Sequence, residues 1–113
     1  MRPTTYYLLA TLLDGPKYGY EIMSRAQELS TGRVLLAAGT LYAALDRLIR
    51  EGLIEAVREE TVNGRHRRYY ALTDAGDAAV RTEAQRMADA ARVVTRLTAG
   101  RPAPAPRPAV KPA

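Results

Sequence analysis

Residues 39–55, Gly39-Thr40-Leu41-Tyr42-Ala43-Ala44-Leu45-Asp46-Arg47-Leu48-Ile49-Arg50-Glu51-Gly52-Leu53-Ile54-Glu55, decide how this chain folds. They read as a helix that stops on a glycine and runs directly into a strand. Thr40 is the expected cap, because its hydroxyl can accept a hydrogen bond from the free N–H groups of a first turn. Leu41, Leu45, Leu48 and Ile49 recur at helical spacing and predict one buried stripe. Tyr42, Asp46, Arg47 and Arg50 lie off it. Gly52 supplies a left-handed stop. A short helix with a tyrosine and arginines on its free face, preceded by small helices and followed by a hairpin, predicts a winged helix-turn-helix. The fold class is then α+β, mainly α, and in that fold this helix enters the major groove of DNA.

Upstream, Thr4 or Thr5 can cap a first helix through Tyr6, Leu8, Leu9, Leu12 and Leu13, which Gly15-Pro16 ends. A second helix is expected from near Gly19, with Tyr20, Ile22, Met23, Ala26 and Leu29 on it and Tyr20 in the core. Ser30-Thr31-Gly32 breaks it. Downstream, strand-like runs at 53–61 and 67–73 flank Asn63-Gly64, the strongest short hairpin signal. A two-residue turn there sets Val62 opposite Arg65, Glu60 opposite Arg67, Glu59 opposite Arg68 and Val57 opposite Tyr70.

Thr73 is placed to cap a last helix, with Asp74 and Asp77 favoured by the helix dipole. Val80, Ala84, Met87, Ala91 and Val94 repeat in alternating steps of four and three, a coiled-coil-like seam. Over residues 74–98 such a helix is roughly 37 Å long, more than a small domain can cover. The seam therefore predicts a homodimer, against the alternative that it packs on the first helix of its own chain. The expected division is a winged helix-turn-helix at 1–73, a dimerisation helix at 74–98 and a disordered Pro/Ala-rich tail at 99–113.

Composition sets limits. At 113 residues the chain is one domain by length. It has no cysteine, so neither disulfides nor thiolate metal sites are available. No apolar run approaches a membrane span, and the N-terminal residues do not read as a signal peptide. The expectation is a cytoplasmic protein without a cofactor. The net charge of +5 owes three positive charges to residues 101–113, leaving 14 basic and 12 acidic side chains in the remaining 100 residues. Placement of the arginines therefore matters more than total charge.

The run Gly64-Arg65-His66-Arg67-Arg68 sits at the hairpin tip and return strand. Beside the basic helix it reads as a wing that lays positive charge along phosphates or reaches into the minor groove; the alternative is a solvated, charge-protected edge. Lys17 and Tyr18 open the second helix, where free N–H groups favour phosphate. Tyr18 can serve the core or the DNA. Arg47 and Arg50 can meet phosphate or pair with Asp46 and Glu51. His66 is the only histidine. With no cysteine beside it and no nucleophile, base or phosphate-loop pattern elsewhere, the chain does not read as an enzyme or a metalloprotein.

Tyr6-Tyr7-Leu8-Leu9-Ala10, Gly15-Pro16-Lys17-Tyr18-Gly19-Tyr20, Gly39-Thr40-Leu41-Tyr42, Leu45-Asp46-Arg47-Leu48, Gly52-Leu53-Ile54-Glu55 and Arg67-Arg68-Tyr69-Tyr70-Ala71-Leu72-Thr73-Asp74-Ala75-Gly76 together resemble the PadR family of bacterial transcriptional regulators. The resemblance implies a homodimer held by the C-terminal helix with help from the first. It implies a repressor on a palindromic operator, released in some members by a phenolic acid or a planar cationic drug near the dimer interface. Its short last helix suits the small, single-helix branch. Carried onto matching positions, it implies DNA contacts at Lys17, Tyr18, Ala38, Thr40, Tyr42, Arg47, Arg65, His66 and Arg67. Tyr6, Tyr7 and Ala10, with Met87 and Val94, are the candidate walls of an aromatic-effector pocket. Two features depart from the pattern: Lys17-Tyr18 stands where the family often has a histidine, and the chain lacks the tryptophan that drug-sandwiching members use. The competing reading is a winged helix repurposed for protein–protein contacts without specific DNA binding.

Overall fold

A computed structural model describes residues 1–106. In it the chain forms α1 (Pro3–Ala10), β1 (Lys17–Tyr18), α2 (Gly19–Leu29), α3 (Ala38–Arg50), β2 (Ile54–Val62), β3 (Arg65–Leu72) and α4 (Asp74–Leu97). The leucine stripe of α3 is the centre of the core: Leu41, Leu45 and Leu48 are fully buried with Leu8, Leu9 and Leu12, Ile22 and Ala26, Val34, Ile54, Tyr70 and Val80. Each leucine, isoleucine or valine among them contributes roughly 1.5–3 kcal/mol on leaving water. Ser30 shapes the connection from α2 to α3. Its hydroxyl donates to the Gln27 carbonyl and accepts from the Val34 N–H at 2.8 Å, which brings Val34 into the core.

Several local expectations are corrected. α1 begins at Pro3 on an Arg2 cap without side-chain help; proline at a first turn needs no N–H partner. Thr5 is instead buried inside the helix. α3 begins at Ala38, capped by Ala37 without a side-chain bond, so Thr40 is its third residue and not its cap. Tyr20 is 64% exposed and not a core residue. Lys17 and Tyr18 lead into α2 as expected, with Tyr18 as its N-cap, and they also form a strand; they pair with Tyr70 and Tyr69 and make a three-stranded antiparallel sheet in the order β1-β3-β2.

The hairpin turn is of the two-residue kind, with φ of 51° at Asn63 and 76° at Gly64, the two positive values of a type I′ turn. The pairs Val62–Arg65, Glu60–Arg67 and Glu59–Arg68 form as expected. The pair Val57–Tyr70 does not. Tyr70 faces Ala56 and Tyr69 faces Arg58, so Val57 is an extra residue, a β-bulge. Side chains alternate faces with period two. The bulge therefore exchanges the two faces of β2 at that point. It lets Ile54 point into the core, 2% exposed opposite Leu72, while Arg58 and Glu60 point outward and Val57 is left 44% exposed.

One knot joins the end of α3, the two ends of the hairpin and the start of α4. The N–H groups of Gly52 and Leu53 close the end of α3 onto the carbonyls of Ile49 and Leu48. The Thr73 hydroxyl donates to the Gly52 carbonyl at 2.6 Å and accepts from the Gly76 N–H at 3.0 Å. The Thr73 N–H donates to the Leu53 carbonyl. Gly76 packs so closely that a Cβ there would overlap the Leu53 carbonyl oxygen. α4 then runs for 24 residues, about 36 Å. Val80 and Glu83 are buried and Ala84 is half-buried, while every residue from 85 to 97 is exposed.

Two outcomes follow in thermal or urea unfolding. Gly76→Ala costs about 3 kcal/mol through overpacking against an immobile carbonyl, whereas Gly39→Ala, which meets open space, costs nothing. Deleting Val57 expels Ile54 or flips the charged tip and costs about 2–4 kcal/mol, whereas Val57→Ala stays within about 0.5 kcal/mol.

Candidate nucleic-acid interface

Two separate concavities flank the exposed face of α3. The first, of about 340 Å³, lies between α3 and the hairpin and is lined by Tyr18, Tyr20, Tyr42, Arg65, His66 and Arg67, with no carboxylate among them. Tyr42 gets there because it lies off the leucine stripe and is 46% exposed. Its ring rests on Gly19, the first residue of α2, where any side chain would push it aside. Arg67 is held with its guanidinium 4.4 Å from the centre of the Tyr18 ring, a cation–π contact. His66 sits 3.6 Å from Glu59 on the opposite face of the hairpin from Arg67.

The second concavity, of about 380 Å³, brings Thr40, Ala43, Arg47 and Arg50 of α3 beside Arg2, Thr4 and Thr5. Tyr42 and Arg47 are thus on opposite flanks, about 140° apart around the helix at ~100° per residue. Arg47 is partly committed: it donates to the Thr5 hydroxyl at 3.1 Å and lies 3.7 Å from Glu51. Ala38 and Thr40 are at the exposed N-terminal end of α3. Lys17 is not part of the first concavity. It pairs with Asp14, whose carboxyl the neighbouring ammonium holds below its ordinary range.

Of the candidate DNA contacts, the structure groups Tyr18, Tyr42, Arg65, His66 and Arg67 in one place. Thr40 and Arg47 are on the other flank, and Lys17 is turned aside. Arg2 was missed by sequence reasoning; a lone arginine before Pro3 carries no periodic signal. The outer sheet face was missed as well. There Tyr69 is only 7% exposed although it lies outside the main core cluster. Its hydroxyl donates to Glu60 at 2.5 Å, and that carboxylate holds the phenol above its ordinary range.

A separate groove of about 620 Å³ between α1 and α4 is lined by Tyr6, Tyr7, Val34, Arg33, Arg86 and Met87 among others. Tyr6 and Tyr7 meet edge to face at 5.5 Å. Of the expected pocket walls, Ala10 and Val94 do not line it. In its wall Arg86 pairs with Glu83, whose carboxyl is held below its ordinary range by that guanidinium. Among the described residues no cluster of His, Asp or Glu could hold a metal ion, and no helix is long and apolar enough to cross a membrane.

Comparison with known proteins agrees with this architecture. A transcriptional regulator of Mycobacterium tuberculosis (strain ATCC 25618 / H37Rv), Rv3488, is 40% identical over 68 residues, 60% of this chain and 63% of that protein. An uncharacterized protein of Lysinibacillus sphaericus is 32% identical over 71 residues, 63% of this chain and 65% of that one. The chain thus spans less than two thirds of the length of these curated relatives. The crystal structure of a PadR family transcription regulator from hypervirulent Clostridium difficile R20291 superposes with a TM-score of 0.70 at 26% identity, covering 85% of this chain and 98% of that one. The fold is also that of Bacillus subtilis PadR in complex with operator DNA, with a TM-score of 0.65 at 22% identity, covering 97% of this chain and 54% of that one. The transcriptional regulator PadR-like family, a family of regulators and not of enzymes, matches residues 8–82, two thirds of the sequence, and the chain belongs to it.

Proposed function

We propose that the chain is a sequence-specific DNA-binding transcriptional regulator, a repressor acting as a homodimer on a palindromic operator. The observation that carries this reading is the first concavity. Tyrosine hydroxyls, two wing arginines and His66 converge beside the exposed face of α3 with no acid among them. Such a lining suits phosphodiester oxygens and base edges, with arginine and tyrosine fixing register while α3 reads the groove. Arg2, Arg47 and Arg50 on the far flank suit the phosphates of the opposite strand. That Bacillus subtilis PadR is bound to operator DNA supports the reading. So does the split character of residues 1–73, which build the compact unit, and residues 74–98, most of which extend past it.

The dimer reading draws on α4. In the seam, Val80 is buried in the core of its own chain, whereas Met87 and Val94 are 38% and 63% exposed. The inner half of the seam thus packs on its own chain, and the exposure of the outer half supports the dimer reading. Its outer half, with Ala91, Val93 and Leu97 also exposed, is apolar surface that a second copy covers. The groove beside Tyr6, Tyr7 and Met87 favours a small aromatic effector as a further element of this function. A protein-only binding module is the competing reading; the mild charge of the folded part favours it, and the acid-free concavity disfavours it.

Fluorescence anisotropy tests the proposal, with duplex from upstream of the protein's own gene against a scrambled duplex at two salt concentrations. The native fragment binds more tightly at both; equal, salt-erased binding to the two overturns the operator reading for that fragment. Arg65→Ala lowers the slope of log affinity against log salt by about 0.9. Tyr42→Ala weakens operator binding by about 1–3 kcal/mol without altering the melting temperature. For the dimer, Val94→Asp raises the dimer dissociation constant about tenfold or more in sedimentation equilibrium, since about 1.4 kcal/mol suffices for that. A variant that remains fully dimeric overturns the α4 seam.

A further inference from the structure

The outer face of the sheet carries two adjacent rings with a cation at each end, in the order Arg58, Tyr69, Tyr18, Arg67. The Arg58 guanidinium lies 4.0 Å from the centre of the Tyr69 ring. The Tyr18 ring meets Tyr69 edge to face at 5.6 Å. Arg67 lies on Tyr18 at the concavity beside α3. Glu60 and Arg67 stand directly opposite each other in the hairpin register, on the same face. Opposite charges in that position attract across the ladder, and a neutralised Arg67 would be lost to a phosphate. Instead the Glu60 carboxylate accepts the Tyr69 hydroxyl at 2.5 Å, and the Arg67 guanidinium rests on a ring.

We propose that Tyr69 is a positioning residue for DNA binding: its hydroxyl diverts Glu60 from Arg67, leaving that guanidinium, on the Tyr18 ring, without a carboxylate partner and able to meet a phosphodiester oxygen. The role rests on the DNA-binding reading above. Tyr69 itself touches no DNA. It is shielded by Arg58 and Tyr18, and its effect is exerted through the charge state of the Glu60–Arg67 pair. The bulge at Val57 is what makes this possible, because it keeps Glu60 and Arg58 on the outer face while Ile54 enters the core.

The test is the salt dependence of anisotropy-measured binding of the full chain to a mixed-sequence duplex. Tyr69→Phe keeps the ring and removes the hydroxyl. Glu60 then pairs with Arg67, and the slope falls by about 0.9, the value of one neutralised phosphate. Arg67→Ala gives the same loss, and adding Tyr69→Phe to it changes nothing further. Tyr69→Phe combined with Glu60→Gln restores the wild-type slope, which a merely structural role of the hydroxyl does not do. Glu60→Gln alone leaves the slope unchanged, an arm that holds even if Tyr69→Phe destabilises the fold. A slope that rises by about 0.9 in Glu60→Gln, or a wild-type slope in Tyr69→Phe, overturns the positioning role and leaves the DNA reading standing. If the wild-type chain shows no salt-dependent binding to any duplex, both fall.

Discussion

The contact of Gly76 with the Leu53 carbonyl fixes how the winged-helix unit and α4 are joined. Four backbone segments pass through this small volume: the end of α3, the start of β2, the end of β3 and the start of α4. They are tied together by hydrogen bonds of the Thr73 hydroxyl and of the Gly52, Leu53, Thr73 and Gly76 backbone. Each such bond adds about 1 kcal/mol, and with the close packing of Gly76 they hold the segments in place. The helix α3, the hairpin and α4 thereby share a single joint. The orientation of α4 relative to α3 is set within one turn of helix.

From that joint the site grows outward by simple periodicities. The stripe of α3 buries every third or fourth residue and leaves Tyr42 and Arg47 on opposite shoulders. The alternation of β3 sends Tyr70 and Leu72 inward and Arg67 and Tyr69 outward. Tyr18, in β1, sits where these two patterns meet. It pairs with β3 through its backbone, carries Arg67 on its ring and braces Tyr69. The strand β1 is only two residues long, yet it welds the start of α2 to the wing.

Much of this was legible in the amino-acid sequence, for identifiable reasons. The α3 stripe, the Gly52 stop, the Asn63-Gly64 turn and the Thr73 cap are local signals, each decided by side chains within a few residues. The unread features depend on partners far along the chain. β1 exists because Tyr69 and Tyr70 supply its hydrogen bonds, and two residues contain no period to detect. The bulge at Val57 is a compromise between a register imposed at the turn and a core position required of Ile54. Tyr20 resembles a core residue in composition, but α2 turns it outward toward the wing. The α1 and α3 caps were misplaced because a threonine near a helix start can cap the helix or lie inside it. Only the packing of Thr5 beneath Arg47 distinguishes the two at α1. The tail beyond residue 106, expected to be disordered, lies outside the described residues.

The bulge also bears on how such wings can diverge between related regulators. Amino-acid replacements at the exposed tip alter charge without touching the interior, so selection can retune them one at a time. Changes of length are constrained by parity. Gaining or losing one residue along β2 exchanges inside for outside and must be offset at the bulge, whereas lengthening both strands at the turn leaves the buried end undisturbed. Wings descended from this one should therefore differ freely in arginine content and grow or shrink at the tip.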